Sequence, residues 1–200
     1  MRYLSSQLLR QKIAHSRVCA SQCVTREVTN YKRQWLCLFI TSVQYGATKV
    51  ERMLLVMVTD IFGAQPEVLL QFDQLGSDYL CVQPYDHQPP SFTDDNEAYQ
   101  YFLAHGALEA YSKKLAGVLK AQPEPIFLVG FSAGAAACWA NLVLEHLTIE
   151  HCVGFYGGQI RQMTHLKPLY PTELIFAEET HFSVSTLTDA LAGKTNLKQS

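Results

Sequence analysis

The chain has 200 residues, nearly half of them apolar, and a formal net charge of −2, enough to bury one good core. That is ordinary globular composition and does not suggest nucleic-acid binding. The longest apolar runs, such as WLCLFITSV (35–43), are too short to cross a bilayer, and no segment joins an apolar core to the small-residue cleavage site of a secretory signal.

Charge divides the chain in two. Residues 1–52 carry nine Lys/Arg against two acids, a net +7, so residues 53–200 carry −9. The leader shows no clear period. It fits three readings: an amphipathic targeting peptide, an arm for an acidic partner, or an extension outside the working fold. The third is preferred, because a clean buried-strand pattern begins at Met53. We therefore expect a basic extension over 1–52 and a domain over 53–200.

From there the elements alternate. LLVMVT (54–59) is a continuous apolar run, as in a strand covered on both faces. Pro66 to Leu75 has helical spacing, with Gly76 as a stop. DYLCVQP (78–84) is a second strand ended by Pro84, and YDHQPPSFTDDNE (85–97) is a loop long enough to line a site. Asp95 or Asn96 caps the next helix, which Gly106 splits in two. IFLVG (126–130) is a strand and Ala133–Leu147 a helix. HCVGFYG (151–157) and TELIFA (172–177) are strands, and VSTLTDALAG (184–193) is a helix stopped by Gly193. Strands alternating with helices across short connections imply a mostly parallel sheet between helical layers, a three-layer α/β sandwich.

The six cysteines, at 19, 23, 37, 81, 138 and 152, are irregularly spaced, and three sit in apolar runs as small hydrophobes. Cys19 and Cys23 have only Cys37 nearby, too few thiols for a zinc site. No metal is expected, and the reducing cytoplasm is the default compartment.

The stretch PIFLVGFSAGAAACWANLVLEHL (125–147) carries the chemistry. A buried strand, G-x-S-x-G and a helix are the three parts of a nucleophile elbow. The strand delivers Ser132 to the carboxyl edge of the sheet, where open α/β folds bind ligands. The helix starting there points free N–H groups and a positive dipole end at the site, so Ala133 N–H can serve an oxyanion. The bland alternative is that Gly, Ser and Ala are small and let a helix approach a sheet. GFSAG alone would not decide between them; its position between PIFLV and AAACWANLVLEHL favours the elbow.

Five segments, in order, resemble the dienelactone hydrolase family of α/β hydrolases: TDIFG (59–63), CVQPYD (81–86), GFSAG (130–134), VGFYGG (153–158) and LIFAEETHF (174–182). The resemblance spans about 53–200 and does not touch 1–52. It implies an α/β hydrolase fold and hydrolysis of a small-molecule ester, lactone or related acyl bond through an acyl-Ser132 intermediate, with no metal or organic cofactor. The family's namesake uses cysteine where this chain has Ser132, and a serine needs a base to deprotonate it. By resemblance, Ile61 N–H is the second oxyanion donor beside Ala133 N–H. Asp60 takes the place of an acid that contacts the nucleophile, its plainer reading being a cap or turn residue. Phe62, Tyr156 and His181 fall in the substrate site. The family's triad aspartate directly precedes His-Phe, where this chain has Thr180; Glu179, just upstream, is taken as the acid, its alternative being a solvated loop residue.

The resemblance also places a histidine after one more helix and strand. That strand would begin near Asn196, and the sequence ends at Ser200, so the family's final strand and catalytic histidine are not expected here. His87 and His165 are the loop histidines that could stand in. Two readings follow: a shortened version of a working hydrolase, with activity impaired, or a hydrolase-fold protein that binds without catalysis. The missing strand would leave an open sheet edge and favour self-association. A nucleotide-binding sandwich is weakened by TDIFGAQPE, with one glycine where a phosphate cradle needs several.

Overall fold

The structure, a computed structural model, describes residues 53–74, 78–177, 179 and 182–200. The leader 1–52, with Cys19, Cys23, Cys37 and His15, lies outside the described residues, as do Glu178, Thr180 and His181. The elements are β1 (Leu54–Val58), α1 (Pro66–Asp73), β2 (Tyr79–Val82), α2 (Asp95–Ala104), α3 (Ala107–Lys120), β3 (Ile126–Phe131), α4 (Ala133–Asn141), β4 (Ile149–Phe155), a 3-10 helix (Gly158–Gln162), β5 (Thr172–Ile175), α5 (Val184–Leu191) and β6 (Leu197–Gln199).

The six strands form one parallel sheet in the order β2-β1-β3-β4-β5-β6. Their apolar runs are explained by burial on both faces: Val56, Met57, Val58, Leu128, Val129, Cys152 and Val153 are all buried. One face packs against α3, α4 and α5, where Tyr111, Leu115, Leu119, Trp139, Leu187 and Leu191 join Val56, Val58, Leu128 and Leu174 in a single core. On the other face Phe72 of α1 meets Phe131 edge-on at 6.2 Å, and Phe131 stacks on Phe155 at 5.3 Å. The α/β sandwich read from the alternation is the architecture observed, including the helix break at Gly106, whose φ is +87°.

Three expectations are corrected. The N-cap of α2 is Asp94, not Asp95 or Asn96; its carboxylate accepts from Glu97 N at 2.8 Å, and Glu97 reaches back to Thr93 N at 2.7 Å. Helix α4 ends at Asn141 rather than running to Leu147. Beyond it, the Tyr170 hydroxyl donates to Leu144 O at 2.8 Å and accepts from Leu147 N at 3.0 Å, and Leu169 N takes Leu142 O at 2.8 Å. The incoming loop thus occupies backbone groups that a longer helix would have used.

The third correction concerns the last strand. KTNLKQS has no apolar run, yet Leu197–Gln199 form β6 and pair with Thr172–Leu174. Asn196, at φ +63°, turns the chain into register. Thr172 N then donates to Asn196 O at 2.8 Å, and Phe176 N to Ser200 O at 3.1 Å. Lys198 Nζ bonds Glu173 Oε1 at 2.8 Å across the pair. So β5 does not present the open edge expected of it.

Candidate active site

Strand β3 ends at Phe131 and helix α4 begins at Ala133, so Ser132 alone makes the corner. Its φ of 52° and ψ of −113° lie where a non-glycine residue is strained by roughly 1–3 kcal/mol. The corner is held from both sides: Ser132 N donates to Phe155 O at 2.8 Å, and Ser132 O accepts from Ala136 N at 3.1 Å. Ser132 is half-buried. Its side chain does not cap the helix, so the hydroxyl is not spent on local structure.

The glycines of GFSAG are required by close approach. A Cβ on Gly130 would come 2.7 Å from the Ala135 Cα and 2.8 Å from the Cys138 sulfur. A Cβ on Gly134 would collide with the carbonyl oxygens of Val58 and Thr59. The head of α4 therefore sits directly on the carboxyl end of β1, which brings the TDIFG loop to the elbow. The first-turn N–H groups of α4, Ala133's among them, have no intrahelical partner.

The TDIFG loop is tightly bonded. Asp60 Oδ1 accepts from Phe62 N at 2.9 Å, Gly63 N donates to Asp60 O at 3.2 Å, Ala64 N to Gln83 Oε1 at 2.9 Å, and Gln65 N to Gly63 O at 3.0 Å. From Ile61 to Gln65, only the Ile61 N–H makes no hydrogen bond among the described residues. Ile61 and Phe62 are both half-buried, and the Phe62 ring meets Phe92 edge-on at 6.1 Å. Asp60 thus serves as a turn residue, one of the two roles the sequence allows it.

Tyr156 follows β4 beside the elbow, with φ +57° and its N–H bonded to Ile175 O at 2.9 Å. The structure thus brings Ser132, Ala133, Asp60, Ile61, Phe62 and Tyr156 to the carboxyl ends of β1, β3 and β4. Glu179 follows β5; it is exposed and has no bond to a histidine among the described residues. His181 lies outside them.

None of the described histidines bonds Ser132. His87 Nε2 shares a hydrogen bond with the Tyr101 hydroxyl at 3.1 Å, and His105 Nδ1 bonds Tyr101 O at 2.7 Å. His146 and His165 are exposed, and His151 stacks on Phe127 at the start of β4. His87 thus bonds α2 through its Nε2.

Tyr85 holds the TDIFG loop through a bond that the sequence reading missed. It lies in a polar loop yet is only 2 % exposed, and its hydroxyl donates to Ile61 O at 2.6 Å. The available signal was an aromatic placed directly after the strand-ending Pro84. Burial, with Tyr101 and Asp60 adding, pushes its pKa up to about 12, so it stays a phenol that donates.

A groove of about 240 Å³ lies between the 3-10 helix and α5, with Arg161, Thr164, Phe182 and Thr186 in its wall; Ser132 does not line it. Among the described residues no cluster of three His, Cys, Asp or Glu could hold a metal. Cys81, Cys138 and Cys152 are free thiols, and among the described residues no helix is long and apolar enough to cross a membrane.

No family model matches the chain. The chain is similar to the uncharacterized protein YczH of Bacillus subtilis (strain 168), with 29 % identity over 103 residues, half of this chain and half of that one. It thus spans about half the length of the curated relative it matches. Among solved structures, a lipase-esterase related protein from Clostridium acetobutylicum ATCC 824 aligns with a TM-score of 0.46 and 10 % identity, covering 73 % of this chain and 84 % of that one.

Proposed function

We propose that this chain is a serine hydrolase of the dienelactone hydrolase type, acting on a small-molecule ester, lactone or related acyl bond through an acyl-Ser132 intermediate. The observation that carries this reading is the strained corner at Ser132, φ 52°, with two N–H groups free of partners beside it, those of Ala133 and Ile61. Such strain persists where the surroundings over-determine it, and it concentrates at functional sites.

In the reaction, Ser132 Oγ attacks the acyl carbon and its proton passes to a base. The carbonyl oxygen takes the negative charge and is met by the Ala133 and Ile61 N–H groups, which need no reorganisation to receive it. The C–O bond to the leaving group breaks, the leaving oxygen takes a proton, and water then releases the acid. Asp60, Phe62, Tyr156 and His181 border the substrate, and Glu179 is assigned as the acid that orients the base. The chemistry calls on no metal or organic cofactor.

A second reading is favoured by a specific observation: no described histidine bonds Ser132. A catalytically inactive hydrolase-fold binding protein would share the corner and lack the base. A fluorophosphonate, which bonds only to an activated serine, separates the two. Under the hydrolase reading, intact mass shows one adduct on the wild type and none on Ser132→Ala. No adduct on either would leave the binding reading.

A further inference from the structure

We infer that Tyr85 is a positioning residue for the oxyanion hole: its hydroxyl holds the Ile61 carbonyl and so keeps the neighbouring Ile61 N–H turned to the acyl oxygen above Ser132. The inference rests on the hydrolase reading above. It begins from an accounting of backbone groups, because a partly buried N–H without a partner is costly unless something uses it. Every N–H from Phe62 to Gln65 is engaged and that of Ile61 is not.

The Ile61–Phe62 peptide is clamped at both ends. Its oxygen accepts from Tyr85 at 2.6 Å and its N–H donates to the Asp60 carboxylate at 2.9 Å. That peptide cannot rotate without breaking both bonds; the preceding Asp60–Ile61 peptide, which carries Ile61 N–H, is joined to it at the Ile61 Cα and is held at its own oxygen by Gly63 N at 3.2 Å. Tyr85 is itself fixed. Its ring is boxed by Tyr101 at 5.0 Å and His105 at 5.5 Å. Its own carbonyl accepts from Lys114 Nζ at 2.6 Å, and Lys114 also pairs with Asp86 at 2.9 Å. A rigid supporting shell of this kind is what a preorganised donor requires.

Tyr111 supplies the comparison. Its buried hydroxyl lies 2.9 Å from both Thr59 O and Val82 O. It therefore ties β1 to β2 without touching the Ile61–Phe62 peptide. Removing that hydroxyl should weaken the fold and leave the chemistry alone.

The test compares wild type, Tyr85→Phe and Tyr111→Phe. It measures the rate of fluorophosphonate labelling at Ser132, kcat and KM for 4-nitrophenyl acetate, and Tm. Tyr85→Phe should slow labelling and lower kcat by about tenfold or more, with KM changed less than about twofold. Tyr111→Phe should lower Tm and keep wild-type kcat. A second measurement needs no variant: on phosphonylation of the wild type, the Ile61 and Ala133 amide protons should both move downfield. A shift at Ala133 alone overturns the inference, as does a Tyr85→Phe protein with wild-type labelling and kcat. Those outcomes leave the hydrolase reading standing. A wild type that neither labels nor turns over removes the hydrolase reading and this inference with it.

Discussion

Helices α3 and α4 lie against each other, with Asn141 Nδ2 donating to Ser112 O at 3.0 Å, yet they are built on different principles. In α3 the buried side chains are Tyr111, Leu115 and Leu119, one turn apart, while Glu109, Lys113, Gly117 and Lys120 face water. This is an amphipathic stripe, and hydrophobic burial orients the helix. Helix α4, AGAAACWAN, buries every residue but Ala140 and carries no charge. Burial on all sides cannot orient a helix; the closeness of neighbouring backbone does. Where chemistry needs a helix end pressed onto a sheet, side chains are given up to achieve it.

The largest effect should come from breaking α4 at its head. Ser132→Ala is expected to abolish labelling and to reduce ester hydrolysis by about a thousandfold or more, with the fold retained by circular dichroism. Next is Gly134→Ala. Alanine in a helix interior ordinarily gains ~1 kcal/mol over glycine. Here the new methyl meets the carbonyl oxygens of Val58 and Thr59, which cannot yield unless β1 moves. Overpacking of ~1–3 kcal/mol should win, for a net loss of up to ~2 kcal/mol in chemical denaturation.

Gly117→Ala in α3 sharpens the contrast, because a Cβ there meets nothing within 4 Å. It should stabilise by ~0.5–1 kcal/mol. The same sign at 117 and 134 would show that backbone crowding does not distinguish the two helices. At α2, Asp94→Ala should cost ~1 kcal/mol, and Asp95→Ala should cost less, since Asp94 holds the cap.

The smallest expected effect is at the far end of the sheet. Burial would raise the Glu173 carboxyl, but bonds from Lys198 and Ser200 outweigh it and hold the pKa below the ordinary value. Burial holds the His151 imidazole below its ordinary value, with Glu173 pulling it back up and Lys198 pushing it down. Both groups bind protons more readily in the unfolded chain. Their stability is therefore fully present above about pH 6.5 and is lost as pH falls, through His151 first and then Glu173. Lys198→Ala should flatten the Glu173 part of that acid limb and cost less than about 1 kcal/mol near neutrality, because Lys198 is exposed. Denaturation midpoints from about pH 2.5 to 7 check it; an unchanged limb below about pH 4.5 would mean that the lysine does not hold the carboxylate.

Much of the candidate site was legible because an elbow is local. A strand, a corner of small residues and a helix lie within seventeen consecutive residues, Pro125 to Asn141, and each part has its own signature. Ile61 was reached only through the resemblance, since a free N–H leaves no mark on side-chain identity. Tyr85 was placed only within CVQPYD and a loop able to line a site; its bond was not read, because its partner stands 24 residues earlier in the chain and no periodicity reports a bond across that distance. The base was not reached by either route.

By itself, the sequence determined the alternation of strands and helices, the burial of β1 on both faces, the break at Gly106 and the corner at Ser132. These follow from periodicity and backbone stereochemistry, which act over a few residues. Only the tertiary structure decided where α4 stops, that KTNLKQS closes the sheet as β6, and which N–H of the TDIFG loop is left unpaired. In each case the deciding group arrives from elsewhere in the chain: Tyr170 at the end of α4, β5 beside Leu197–Gln199, and Gln83 and Tyr85 around Ile61. A hydrogen bond depends on which groups meet in space, and that is fixed only once the layers have packed.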